Sequence, residues 1–521
     1  MVVRRLLVAF TLLCLLGQGA HAWASDPAPV STATVAQPAP APPTPAIPTL
    51  LAQDRWKDQG PDWFGRLRSF FGVFLMIAVA YGLSRDRRRI DWRLVTIGVL
   101  LQVVLAVLTL SPPGRWFFSF FNDLVLALLE NTAAGSTFLF GDLATHNNLP
   151  VASSVVPMPD GDLSGWAAGA RMAPLLPPEG RPWRWVHVGA FFAFGVLPTI
   201  IFFSSLMAVT YHLGLMQKVV QALAVVMQKT MRTSGAETLS AAGNIFLGQT
   251  EAPLLVRPFL SSMTESELMA IMVGGFANVA GGVMAAYVGI LSGVFPDIAG
   301  HLLTVSIMSA PGSLLLAKML IPEPDREKCV TYGHTKIALP KTDANLIDAA
   351  ARGASEGLTL ALNVGAMLLA FIALIAMFNG IVGWAGALPC RLSEVLCLEQ
   401  KLSLELMLGW VLRPVAYLMG VPWADSQAVG SLLGIKTILN EFYAYLSLAE
   451  VAPHFVSRRS LVICTYALCG FANFGSIAIQ IGGLSPLAPE RRADLARIGL
   501  LAMIGGTLST FMAACVIGVF T

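Results

Sequence analysis

Ionisable side chains stand out in this chain because so little around them is polar. Glu251 sits with Asn244, Gln249 and Thr250 inside Gly243 to Leu260, a run otherwise apolar enough for a membrane interior. A carboxylate at membrane depth is costly unless it faces a cavity or a partner, so the run is a functional candidate. Gly248 and Pro253 interrupt any helix here. Backbone that leaves its helical hydrogen bonds at that depth must line protein or water, which predicts a broken, re-entrant hairpin of the transporter kind. A second run, Gly430 to Leu446, repeats the theme with Lys436, Thr437, Asn440, Glu441 and Tyr445. Carboxylates and amides grouped in a low-dielectric cavity can make strong hydrogen bonds to a solute, since a carboxylate accepting from a neutral donor makes a charge-assisted bond. Lys436 lies close enough in sequence to neutralise Glu441, a structural pairing if it forms.

The elements that carry these residues repeat. Glu251 is followed 27 residues later by Asn278 in Gly274-Gly-Phe-Ala-Asn-Val-Ala-Gly-Gly282, and Glu441 is followed 32 residues later by Asn473 in Gly470-Phe-Ala-Asn-Phe-Gly475. Phe-Ala-Asn occurs in both. Three predicted spans separate the two hairpins, and an odd number of crossings inverts the second copy in the bilayer. Inverted repeats with interrupted helices are a recurring secondary-transporter plan.

Composition fixes the class. The 521 residues are 55% hydrophobic and 12% charged, against about 25% charged in soluble domains. The fold expected is an all-α polytopic membrane protein with about eight transmembrane helices, two re-entrant hairpins in inverted repeats, and interfacial helices. A net charge of +3, with no basic run interleaved with aromatics, excludes a nucleic-acid partner. Arg4 and Arg5, the apolar Leu6 to Leu16 and Ala20-His21-Ala22 read as a signal peptide. The sequence divides into that segment (1–22), a Pro/Ala-rich disordered periplasmic segment (23–60), scaffold helices and an interfacial helix (61–215), a first repeat (216–322), a cytoplasmic loop with a scaffold span (323–383) and a second repeat (384–521).

Spans are expected at Trp63 to Leu83, Leu94 to Leu110, Val186 to Leu215, Glu267 to Leu291, Ile298 to Ile321, Gly357 to Val382, Leu461 to Ile481 and Ile498 to Phe520. Trp116 to Leu129 reads as an interfacial amphipathic helix. The five arginines of Ser84 to Arg93 mark a cytoplasmic loop, and eight crossings then put both termini outside. Serines in the spans have no histidine within plausible reach, which argues against an enzyme. Cys390 and Cys397 fall in an outer loop where a disulfide is permitted, and no Cys/His spacing suggests a resident metal.

Several of these stretches together resemble the concentrative nucleoside transporter family: Gly248-Gln-Thr-Glu-Ala-Pro-Leu-Leu-Val-Arg-Pro-Phe-Leu260, Asn440-Glu-Phe-Tyr-Ala-Tyr445, Tyr466-Ala-Leu-Cys-Gly-Phe-Ala-Asn-Phe-Gly-Ser476 and Leu197-Pro-Thr-Ile-Ile-Phe-Phe-Ser-Ser205. The resemblance covers roughly residues 60 to 520. It implies a bacterial inner-membrane homotrimer, surrounded by lipid, importing nucleosides by alternating access of a mobile domain of two hairpins and two unwound helices. By motif position, Gln249, Thr250 and Glu251 would meet the nucleobase and Glu441, Asn473 and Ser476 the ribose, with Phe471 near the ring system. A coupling sodium ion would take Asn244, the Leu247 carbonyl, Asn278 and the Val279 carbonyl, and no other cofactor is implied. Asn278 stands where the family usually has a hydroxyl residue. An amide oxygen is a hard neutral ligand, and the proton is the competing driver.

Overall fold

The computed structural model describes residues 62–140, 148–151, 184–187, 192–323, 329, 331–332, 343–392 and 402–521. The expected signal peptide, the whole proline-rich segment, and Cys397 with the bridge to Cys390 lie outside the described residues.

Among the described residues the architecture is all-α apart from one antiparallel ribbon, β1 (Asn148–Val151) with β2 (Arg184–His187), in which Asn148 pairs with His187 and Val151 with Arg184. Apart from the single turn Phe192–Gly195, the described α-helices are α1 (Trp63–Leu83), α2 (Trp92–Leu110), α3 (Pro112–Phe140), α4 (Leu197–His212), α5 (Leu215–Met231), α6 (Gly235–Gly243), α7 (Glu265–Ala277), α8 (Gly281–Leu291), α9 (Ile298–Leu320), α10 (Leu346–Leu392), α11 (Leu404–Leu418), α12 (Trp423–Ile438), α13 (Glu441–Val451), α14 (Arg458–Leu468), α15 (Phe474–Leu484) and α16 (Arg492–Phe520). A 3-10 helix, Ala252–Ser262, follows α6.

Among the described residues, six stretches are long and apolar enough to cross a membrane. The number rises to eight if two bent pairs count as spans: α4 with α5, bent by 77°, and α11 with α12, bent by 120°. The chain is thus a multi-pass membrane protein. Helix α16 packs against α1, α7, α9, α14 and α15, and α4 packs along α10.

Four elements differ from the sequence expectation. The third span is the bent pair α4 and α5 and not one continuous helix from Val186, because Pro198 favours a helix start, Gly214, at φ +74, ends the first helical path, and Val186 belongs to β2. The interfacial segment runs to Phe140, since Asn131 and Thr137 return their polar groups to the carbonyls of Ala127 (3.0 Å) and Ala133 (2.7 Å). The sixth span is the longer α10. Helix α11 was not anticipated: Arg413 and Pro414 mask its apolar face, although Ser403 caps its start by accepting from Leu406 N.

Each repeat contains a helical hairpin, α6 with the 3-10 helix and α12 with α13, followed by a span broken in two, α7/α8 and α14/α15. The hairpins are fixed at their bases by an acid in the first turn of the first arm. Glu237 pairs with Lys318 of α9 at 2.7 Å, and Lys318 also donates to Ser266 Oγ at 3.1 Å. Asp425 accepts from Val456 N (2.9 Å), Ser457 N (3.2 Å) and the Ser460 hydroxyl at the start of α14.

The two breaks cross in contact. Gly470 has φ +103, and a Cβ there would lie 2.7 Å from the Phe276 carbonyl oxygen and 2.9 Å from that of Ala277. Positive φ is accessible to glycine without strain. Gly470→Ala adds both that strain and an overlap with rigid backbone, so its expected effect is a loss of about 2 kcal/mol or more, read as a lowered melting temperature of the detergent-solubilised protein.

Candidate functional site

The site forms where the broken spans and the second hairpin turn. Glu441 is the first residue of α13, and Asn440 caps that helix by accepting from Tyr443 N at 2.9 Å. Asn473 caps α15 the same way, its Oδ1 accepting from Ser476 N at 2.8 Å. The Asn473 Nδ2 donates to Glu441 Oε2 at 3.0 Å, and the Tyr287 hydroxyl of α8 donates to Glu441 Oε1 at 3.0 Å. Both carboxylate oxygens are therefore bonded, and the group sits at the N-terminus of a helix, where the backbone dipole favours negative charge.

Behind the carboxylate, aromatic rings exclude water. Tyr287 lies 4.4 Å from Tyr445 and 5.4 Å from Phe442 between ring centroids. Tyr445 donates its hydroxyl to the Thr465 carbonyl at 2.7 Å.

The first hairpin reaches this cluster through Gln249. Its Nε2 donates to Ser476 Oγ at 3.4 Å, and its Oε1 accepts from Gln480 Nε2 at 3.2 Å. Gln480 is held by the Met272 carbonyl at 3.1 Å. Gln249, Ser476, Asn473, Glu441 and Tyr287 thus make one buried hydrogen-bonded line drawing on both repeats. Thr250 packs on Gly483, where a Cβ would fall 2.6 Å from its methyl carbon. Phe471 is half-buried against the core, and its carbonyl accepts from Asn473 N at 2.9 Å.

Glu251 stands outside that line. Its Oε2 accepts from Gly248 N at 3.3 Å, and the residue opens onto a cavity of about 250 Å³. The cavity lies between the first hairpin, α4, α8 and α10, with Arg257, Ser204, Tyr211, Arg352 and Glu356 also on its wall. Arg352 is already committed to Asp343 (2.6 Å) and Glu356 (2.8 Å).

The four residues expected around a cation lie near the α7/α8 break. The Asn278 Nδ2 donates to the Gly274 carbonyl at 3.2 Å, while its Oδ1 lies 3.5 Å from Ser306 Oγ, whose proton goes to the Ile245 carbonyl at 2.9 Å. Asn244 is buried, and neither atom of its amide has a hydrogen-bond partner among the described residues. A Cβ on Gly274 would come 3.3 Å from Asn244 Nδ2, placing that amide beside the end of α7. Leu247 and Val279 flank the same turns, and Gly281 N donates to the Phe246 carbonyl at 2.9 Å, joining hairpin to break. A buried amide oxygen with nothing to accept is uncommon in a folded interior and is a ready ligand for a hard cation.

Lys436 does not neutralise Glu441. Among the described residues it makes no ion pair; its ammonium donates to the carbonyls of Ala467 (2.8 Å) and Cys469 (3.1 Å) and to Thr510 Oγ1 (3.2 Å). It lies near the end of α12, ahead of the turn that carries Glu441, and its long stem leads to α14 instead.

Sequence reasoning missed Tyr287 and Gln480. Each is a lone polar tip in an apolar helix, and a buried phenol or amide needs a partner; that is the signal that points to them.

Three family models match the chain: Na+ dependent nucleoside transporter N-terminus over residues 71–143, a Gate model for nucleoside recognition over 193–293, and Na+ dependent nucleoside transporter C-terminus over 301–518. The uncharacterized transporter YutK of Bacillus subtilis is 39% identical over 455 residues, covering 87% of this chain and 99% of that protein. The chain belongs to the Na+ dependent nucleoside transporter family. Members of this family are transporters, not enzymes. Solute carrier family 28 member 3 of Eptatretus stoutii is 40% identical over 466 residues, 86% of this chain. The chain spans about three fifths of that relative's length, 60%, and 64% of the sodium/nucleoside cotransporter 1 of Rattus norvegicus. CNTnw in an inward-facing substrate-bound state superposes with a TM-score of 0.72 at 40% identity, over 87% of this chain and 97% of that one. A substituted CNTnw in an outward-facing state gives 0.74 at 40% identity, over 88% and 99%.

Tyr287→Phe removes one of the two side-chain donors to a buried carboxylate. The expected effect is a loss of about 1–3 kcal/mol, measured by thermal unfolding, with the helical content by circular dichroism unchanged.

Proposed function

We propose that this chain is a secondary active symporter that imports nucleosides across the bacterial inner membrane, driven by a sodium gradient. The observation that carries the reading is the buried line Gln249, Ser476, Asn473, Glu441 and Tyr287, drawn from both hairpins and both broken spans. A binding site for a neutral, hydroxyl-rich solute needs such a line of donors and acceptors held by fixed helix ends.

In this reading Glu441, Asn473 and Ser476 take the ribose hydroxyls, while Gln249, Thr250 and Glu251 take the nucleobase, with Phe471 against the ring. The substrate displaces the contact between Gln249 and Ser476, so an empty site closes on itself and a loaded one does not expose bare polar groups. Glu251 reaches the base from the 250 Å³ cavity, which serves as the entry or exit route. Sodium lies between Asn244, Asn278 and the Leu247 and Val279 carbonyls, and the unpartnered Asn244 amide supports that placement. Both hairpins are re-entrant, both chain termini lie outside the cytoplasm, and three copies assemble. Alternating access moves the hairpins and broken spans past α4 and α10, in keeping with the inward-facing and outward-facing forms of CNTnw.

Three measurements test this. In a cell lacking its own nucleoside carriers, Glu441→Gln and Asn473→Ala lower kcat/KM for labelled uridine or adenosine by about 30-fold or more, while surface expression stays normal. Normal uptake by both variants defeats the site assignment. An analogue lacking a ribose hydroxyl competes at least about 100-fold more weakly than its parent, because the site's own groups are left unpaired. Asn244→Ala raises the sodium concentration for half-maximal uptake by about tenfold; uptake driven by a pH gradient in sodium-free buffer would assign the coupling to protons instead.

A further inference from the structure

The two repeats treat the carbonyl end of their first half-helix differently. A helix that stops inside the membrane leaves its last carbonyls without backbone partners and with partial negative charge. In the first repeat, α7 stops at Ala277, and the facing hairpin arm ends at Asn244, whose buried amide has no partner among the described residues. In the second repeat, α14 stops at Leu468, and the facing hairpin arm carries Lys436 in its last turn. The Lys436 ammonium donates to the Ala467 and Cys469 carbonyls and to Thr510 Oγ1, at 2.8, 3.1 and 3.2 Å, and stands 5.9 Å from the centroid of the Phe511 ring.

These two places correspond. Each lies between the end of the hairpin's first arm and the carbonyl end of the first half of the broken span that follows. One is furnished with neutral oxygen ligands and no charge; the other already holds a cation. An ammonium has three protons, and all three are taken by these acceptors, which leaves none for Glu441 and accounts for the missing ion pair.

We propose that Lys436 is a tethered cation, holding in the second repeat the position that a free coupling ion takes in the first. The proposal rests on the sodium reading given above for the first repeat. It makes position 436 the feature that closes a second ion site: with a short neutral residue there, the α14 carbonyls, Thr510 and the vacated space form a latent site for a small monovalent cation.

The test reads the melting temperature of the full-length chain in detergent, with methylammonium or sodium chloride set against equal N-methylglucamine chloride. Lys436→Ala is expected to melt lower than wild type and to recover by at least about 3 °C in methylammonium. In sodium it gains more than wild type does, since wild type retains only the first repeat's site. Lys436→Met, which fills the space with a neutral chain, melts lower, recovers nothing in methylammonium and gains from sodium only what wild type gains, and wild type gains nothing from methylammonium.

Should the alanine variant not fold, Lys436→Ser carries the same comparison. Wild-type melting of Lys436→Met overturns the proposal. So does a folded alanine or serine variant that gains no more than wild type from either cation, or failure of both variants to fold even when methylammonium is present throughout. Nucleoside takes no part in this readout, so a failure here is distinct from a failure of the transport reading, which sodium-dependent uridine uptake by wild type tests separately.

Discussion

A carboxylate withdrawn from water into a membrane protein must be given back the interactions it has lost. Glu441 receives them from Asn473 and Tyr287 and from its place at the start of α13. That requirement dictates much else. The asparagine caps at 440 and 473 start α13 and α15 so that their N-terminal ends converge on one spot; the hairpin turn frees the first end and the α14/α15 break the second. The rings of Phe442 and Tyr445, which pack on Tyr287, keep the surroundings dry and make each hydrogen bond matter more.

The same logic, with the sign reversed, governs the other ends of the half-helices. Their carbonyl termini face an ammonium in one repeat and the unpartnered Asn244 amide in the other. In the second repeat charge is therefore sorted by helix polarity, with Glu441 at the amide end of α13 and Lys436 at the carbonyl end of α14. Crossing of the two breaks at Gly470 holds both sets of ends in register, because the backbones touch and neither half-helix can turn without the other.

Much of this was legible in the sequence. Glu251, Glu441, Asn473 and their neighbours stood out as polar residues in apolar surroundings, and the doubled Phe-Ala-Asn tied them into a repeat. What the sequence hid were partners distant along the chain. Tyr287 meets a residue 154 positions away, and Gln480 meets Gln249 across 231. Lys436 misled because nearness in sequence is a poor guide where a helix ends: the turn after Ile438 sends Glu441 one way while the lysine stem runs to the carbonyls of α14. Helix α11 escaped notice because Arg413 and Pro414 break an apolar pattern that its close packing on α12 restores.

The anchoring of the hairpins has a mechanical consequence. At their bases Glu237 and Asp425 hold each first arm through ionic or charge-assisted bonds. The contacts linking the first hairpin's tip to the second repeat, Gln249 to Ser476 and to Gln480, are neutral, each worth about 1 kcal/mol. Such an arm resembles a stiff lever with a soft catch: thermal energy can lift the catch many times over while the pivot holds, so the strength of grip on a solute and the durability of the fold are set by different residues and can be tuned apart.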